Sequence, residues 1–121
     1  MNGALPFTMR VGQVSCGLII VHQQYSVECS AFLTAWNPYS HSVDNSINMK
    51  KQLALTKELT QRNLQFIDGV GQHPNNDWLG EESCLILGLT LEASKTLGAR
   101  LEQSGIVWSG INAIPQLILL R

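Results

Sequence analysis

Glu81 and Glu82 stand side by side after a polar stretch, with Asn37, Asn48 and Lys51 upstream of them. Brought together, these types support acid–base chemistry: a carboxylate moves the proton while two amides and an ammonium orient a polar substrate. Thr34, Trp36, Ser40 and Trp78 add ligand-binding types, with hydroxyl groups for hydrogen bonds and indole rings for a pocket wall. The catalytic candidates are therefore Glu81, Glu82 and Lys51. The same residues also have an architectural reading. In TAWNPYS, Thr34 to Ser40, Asn37 can bond to its own backbone two residues on, Pro38 sets the chain direction, and Ser40 or Ser42 can cap a following helix. Lys51 and Glu81 can pair and pin a loop. Caps and turns recruit the same residue types as a site, so at the level of sequence both readings stand.

Several chemistries fail on spacing. The chain holds no Walker-type phosphate loop, no GxGxxG, no GxSxG, no HExxH and no CxxC. His22, His41 and His73 are scattered; His73 and Asp77 share a loop, but two ligand types in a solvated loop do not make a metal site. No metal and no cofactor are implied. Cys16, Cys29 and Cys84 are odd in number, widely spaced and set in apolar surroundings, which predicts reduced thiols packed as small hydrophobes. Trp36, Trp78 and Trp108 lack the interleaved Arg and Lys of a nucleic-acid stacking platform, so they read as packing residues.

The elements that must position these residues fit one domain over 1–121: the chain has 121 residues, 45% of them hydrophobic. Eight Lys and Arg against nine Asp and Glu leave no basic field to draw it to nucleic acid or an anionic membrane. No apolar run approaches a bilayer span and the N-terminal residues do not read as a signal peptide, so the expected location is cytoplasmic.

Phe7 to Gly12 alternates weakly and predicts a first strand. From Cys16 to about Gln24 a helix capped by Ser15 and a strand fit equally well. Cys29 to Trp36 predicts a central strand buried on both faces, ended by Asn37-Pro38. Val43 to Arg62, free of Gly and Pro, predicts the longest helix, with Ile47, Leu55 and Leu59 on one side and Asn48 projecting between Leu55 and Leu59. A strand over Leu64 to Asp68 is followed by GVGQHPNNDWLGEE, whose Gly, Pro and Asn content predicts an irregular loop, long enough in a small domain to be functional. Then come a strand at Cys84 to Gly88, a helix capped by Thr90 and running to Glu102 or Gln103 with Gly105 as its stop, and strands at Ile106 to Ser109 and Gln116 to Leu120. The order predicts an α+β two-layer sandwich: a mixed sheet of five to six strands carrying two main helices and a short third.

TAWNPYS, Asn48-x-x-Lys51 on a helix, Trp78 with Glu81-x-Ser83 entering a strand, then Leu97-Gly98 and Gln103 before Ile106-Val107, resemble in their order a bacterial family known only as domain of unknown function 3293. The likeness runs from about Phe7 to the C terminus. It implies that the polar positions belong together as one pattern, and it brings no activity, cofactor or substrate with it. Lys51 stands where that family more often has Arg, a less directional partner for a carboxylate.

Strand ends and helix N-termini converge on the corner after the TAWNP strand, a setting that suits a small polar or anionic ligand. The expected function is a ligand-binding or protein-interaction module with this polar corner. A second copy of the chain is an expected partner through the apolar segments Gln116 to Leu120 or Cys16 to Val21; nucleic acid and membrane are not. The alternative is a small enzyme using Glu81 or Glu82.

Overall fold

The computed structural model describes residues 7–36, 44–71 and 81–120, with the backbone alone for Gly71 and Glu81. The elements are α1 (Cys16–Gln24), β1 (Ser30–Leu33), α2 (Asn45–Gln61), β2 (Phe66–Gly71), β3 (Glu81–Leu87), α3 (Leu91–Arg100), β4 (Gly105–Ser109) and β5 (Gln116–Leu119). The five strands form one sheet in the order β2-β3-β1-β4-β5.

Every neighbouring pair is antiparallel, which corrects the expected mixed sheet. β1 and β2 run the same way, as do β3 and β4, and each such pair is joined by a helix. Yet each crossover skips a strand: α2 passes over β3, and α3 passes over β1. The segment from β1 to β4 is thus the split β-α-β-β-α-β arrangement of ferredoxin-like folds, extended by β5 at one edge and α1 at the start. The α+β class holds.

Side chains alternate across a strand, and the core divides accordingly. Ala31, Leu33, Phe66, Cys84, Ile86 and Ile106 meet Leu55 and Leu59 of α2 and Leu97 of α3 on one face. Ile67, Leu85, Leu87 and half-buried Phe32 meet Leu18 and Val21 of α1 on the other. β1 is therefore central and covered on both sides, as expected. The two-layer expectation holds for α2 and α3; α1 adds a partial third layer.

The α1 segment resolves its ambiguity as a helix. Ser15 accepts the Leu18 N–H at 3.1 Å as its cap, and Leu18, Val21 and His22 bury at helical spacing while Ile19 and Ile20 remain exposed. The expected strand at Phe7 to Gly12 is absent. Gly12 has φ +85°, and its N–H donates to the Pro115 carbonyl at 2.8 Å, so the segment turns and anchors to the β4–β5 connection instead of pairing as a strand.

All three helices end by one device. Ser26, Asn63 and Glu102 adopt left-handed φ of 56°, 58° and 58°. After each, the next N–H reaches back to the carbonyl of His22, Leu59 or Gly98, the longer bond of a Schellman motif. Glu102, not Gly105, therefore ends α3, three residues before the expected stop. Thr90 caps α3 as expected, accepting from Ala93 N–H at 3.2 Å. α2 is capped by Asp44; the expected caps Ser40 and Ser42 lie outside the described residues. Gly98 lets α3 approach the sheet closely, since a Cβ there would lie 2.7 Å from Leu120 and 2.8 Å from Ile106.

Candidate functional site

β1, β3 and β2 deliver three strand ends to one corner, and α2 begins beside it. The expected irregular stretch from Gly69 is shorter than its composition suggested: Gly69, Val70 and Gly71 pair with Ser83, Glu82 and Glu81 in the β2–β3 hairpin. Backbone pairing overrides the local preference of glycine there.

Thr34 follows the last residue of β1. Its hydroxyl donates to the Glu82 carbonyl at 2.5 Å and accepts the Trp36 N–H at 3.0 Å, bracing the departing chain against the start of β3. Gln103, buried after α3, donates from Nε2 to the carbonyls of Trp36 at 3.0 Å and Leu101 at 3.2 Å. It ties the end of α3 to the end of β1. Trp36 is half-buried; its indole Nε1 is buried without a hydrogen-bond partner among the described residues. Asn48 is 1% exposed, on the sheet side of α2. Asn37, Ser40 and Trp78 lie outside the described residues, as does the side chain of Glu81.

Gln52, one turn after Asn48, did not stand out in the sequence. Its Oε1 accepts the Ala35 N–H at 3.0 Å and its Nε2 donates to Cys84 Sγ at 3.3 Å, so one buried amide bridges α2, the end of β1 and the middle of β3. The buried stripe of α2 is Asn48, Gln52, Leu55 and Leu59. Ile47, expected on that stripe, is 45% exposed. The signal was present as the 48-52-55-59 periodicity, hidden because two of its positions are amides. Burial, reinforced by the Asp68 carboxylate, pushes the Cys84 thiol up to about 12, which leaves no thiolate to act as a nucleophile at neutral pH. The reduced-core expectation fits Cys84; Cys16 is exposed and Cys29 half-buried, donating to the Leu89 carbonyl at 3.3 Å.

Beside this corner an open groove of about 600 Å³ runs between α2 and the β2–β3 hairpin. Met49, Leu53 and Thr56 of α2 form one wall, spaced along one side of the helix, and Asp68 and Val70 of β2 form the other, with Gln52, Ser83 and Glu82 between. Met49, Leu53 and Val70 are exposed apolar residues, and Lys50 contributes the cation. The sequence singled out Lys51, which is exposed on α2 and does not line the groove; Glu82 does line it.

A second cleft, about 400 Å³, lies between α2 and α3 over an ion-pair cluster. Glu58 accepts from Arg100 at 2.7 and 3.0 Å and from Arg62 at 3.2 Å. The Arg100 guanidinium holds the Glu58 carboxyl below its usual range. This pairing clamps the two helices side by side. The two described tryptophans lie apart: Trp108 sits across from Ala31, near the start of β1, with its Nε1 donating to the Leu89 carbonyl at 3.0 Å, whereas Trp36 lies past the other end.

No helix among the described residues is long and apolar enough to cross a membrane. No curated protein and no solved structure matches the chain. A family match does exist, and it begins at Leu33 and stops at Ile106. This is narrower than the expected Phe7 to the C terminus, and it contains both faces of the groove, the Thr34, Gln52 and Gln103 tethers, and Gly98. The matching family is described as "Protein of unknown function (DUF3293)", its pattern covers residues 33–106, more than half of the chain, and the chain belongs to it.

Proposed function

We propose that this protein is a binding module that takes a small polar ligand or a peptide segment in the groove between α2 and the β2–β3 hairpin. The observation that carries this reading is a division of labour at the corner. Thr34, Gln52 and Gln103 direct their side chains onto backbone groups and a core thiol. Meanwhile Met49, Leu53 and Val70 stay exposed around a polar floor. Tethers of this kind make a rigid support, and an apolar rim around a few convergent polar groups is the usual composition of a ligand site.

Asp68 and Glu82 against Lys50 make the lining more acidic than basic. That balance favours a ligand carrying an amine or guanidinium over the anionic ligand that the helix N-terminus suggested from sequence. The single-domain organisation, cytoplasmic residence and bacterial origin expected from the sequence belong to the same proposal. So does the ligand-binding role expected of Asn37, Ser40 and Trp78, which lie outside the described residues, whereas Asn48 is buried on the sheet side of α2 and serves the corner from within. One observation favours the enzyme alternative as a second reading: Asp68, Glu82 and Lys50 line the same open groove, as an acid–base pair would require.

The test is a thermal-shift screen of the full chain against amino acids, polyamines, nucleotides, sugar phosphates and divalent metal ions, repeated with Glu82→Gln and Leu53→Glu. At least one class should raise Tm in the wild type and lose its effect in both variants. A screen with no shift in any class would overturn the small-ligand reading. Turnover of a bound compound that vanishes in Glu82→Gln while binding persists would move the protein to the enzyme class.

A further inference from the structure

The two edges of the sheet are built differently. At β5 the Leu120 N–H donates to the Ser104 carbonyl at 2.8 Å. In an antiparallel ladder hydrogen-bonded pairs alternate, so with Ile118 opposite Ile106 and Gln116 opposite Trp108, those two residues also turn their backbone groups toward β4. The N–H and C=O groups of Leu117 and Leu119 consequently point to the open edge. Their side chains stand on the face opposite Ile118 and Leu120, which pack into the helix-side core; Leu117 is 56% and Leu119 70% exposed. At the other edge the same alternation, set by the Leu87 N–H to Gln65 carbonyl bond, turns the backbone of Phe66, Asp68 and Val70 outward. That edge carries a carboxylate at its centre and glycines at Gly69 and Gly71.

Natural sheets guard open edges with charge, proline or bulges. β2 has such a guard in Asp68. β5 has none: Gln116–Leu119 is uncharged, and its register with β4 is unbroken. We propose that β5 is a two-fold interface at which a second copy of this chain adds its own β5, antiparallel, about an axis at Ile118. This contact is separate from the groove and does not depend on its occupant.

The occupant follows from self-complementarity. Antiparallel pairing about Ile118 sets Leu117 against Leu119 of the partner subunit, and each of the two resulting pairs exchanges both backbone hydrogen bonds, satisfying the groups that face outward. It also gathers Leu117 and Leu119 of both copies on one face, next to half-buried Val107, the cross-strand neighbour of Leu117. An uncharged strand offers nothing to select a partner of either sign, whereas a two-fold axis matches the strand to itself. A four-residue strand supplies only part of the roughly 800 Å² per partner that a stable interface buries. The association should therefore be weak and concentration-dependent.

Sedimentation velocity of the full chain over a concentration series, with hydrogen exchange at each concentration, tests this. The apparent mass should double as concentration rises, and the Leu117 and Leu119 amides should slow in parallel, while the Ile118 amide stays protected throughout by Ile106. Leu119→Lys, at an exposed position, should hold the mass at that of the monomer with Tm at the low-concentration value. Leu53→Glu should leave the doubling intact, which separates this interface from the groove. A wild-type mass that stays monomeric at the highest concentration overturns the proposal and leaves the edge to a different protein. So does a dimer that survives Leu119→Lys or leaves the Leu117 amide unprotected.

Discussion

At Gln52 a single side chain completes three elements. Removing its amide leaves the Ala35 N–H, in a residue 2% exposed, without the oxygen it donates to at 3.0 Å. A buried donor left unpaired costs about 1–3 kcal/mol. Gln52→Ala is expected to lower unfolding stability by about that amount in urea titrations, with the denaturant slope unchanged. A midpoint equal to the wild type would show that water reaches the corner and takes over the bond. Thr34 was legible because it interrupts an apolar strand and Asn48 because it projects between Leu55 and Leu59, while Gln103 stood out only through the family resemblance. Gln52 was not legible, because glutamine in a helix rich in Lys and Gln reads as a solvent-facing residue until the sheet it faces is known. Lys51 shows the converse: its type fitted a site, while its neighbour Lys50 is the lysine that lines the groove.

Among elements, the caps Ser15 and Thr90 and the ends of α1 near Gln24 and α2 near Arg62 were readable, while the cap of α2 and the stop residue of α3 were not. Thr90 announces α3 by type and position, since a hydroxyl before an apolar-periodic run satisfies an otherwise free N–H. The three helix ends use Ser26, Asn63 and Glu102 in the left-handed region, where a Cβ is unfavourable and glycine is usual. Of these, Glu102 has neither the short polar side chain of Asn nor the freedom of Gly. Glu102→Gly is therefore expected to raise stability by about 1 kcal/mol, read as an increase in Tm with the far-ultraviolet circular dichroism unchanged. A lower Tm would mean that the glycine's added freedom in the unfolded chain outweighs the relief of strain. The α1 segment shows why an apolar run alone does not choose its element. CGLIIVHQQ suits either form, and burial of Leu18, Val21 and His22 at helical spacing settled it.

For the molecule as a whole, the pH dependence of stability should bear the mark of α1 packing on the sheet. His22 is buried, with Nε2 and Ser30 Oγ 2.8 Å apart, and burial lowers its pKa from the ordinary 6.5. Below that value the unfolded chain takes up a proton that the folded chain resists, so this contribution is complete above about pH 6.5 and declines as the pH falls through it. Glu58 adds a second decline in more acidic solution, because Arg100 holds its carboxyl below the ordinary 4.5 and the stabilising charge is lost on protonation. Urea midpoints measured from about pH 7.5 to about pH 5 should fall in the wild type and fall less steeply in His22→Gln. Identical slopes would remove His22 as the cause. The sequence by itself determined the α+β class, the two main helices, the central place of β1 and the positions of most strands, because periodicity, caps and turn residues are local properties of the chain. It also ordered the polar positions that mark the family. Only the tertiary structure decided the all-antiparallel order, the covering of the second face by α1, which lysine of α2 lines the groove and the contrast between a guarded and an unguarded edge. Those depend on which strands become neighbours and which face each helix covers, and such contacts join residues far apart in the chain whose pairing no local pattern encodes.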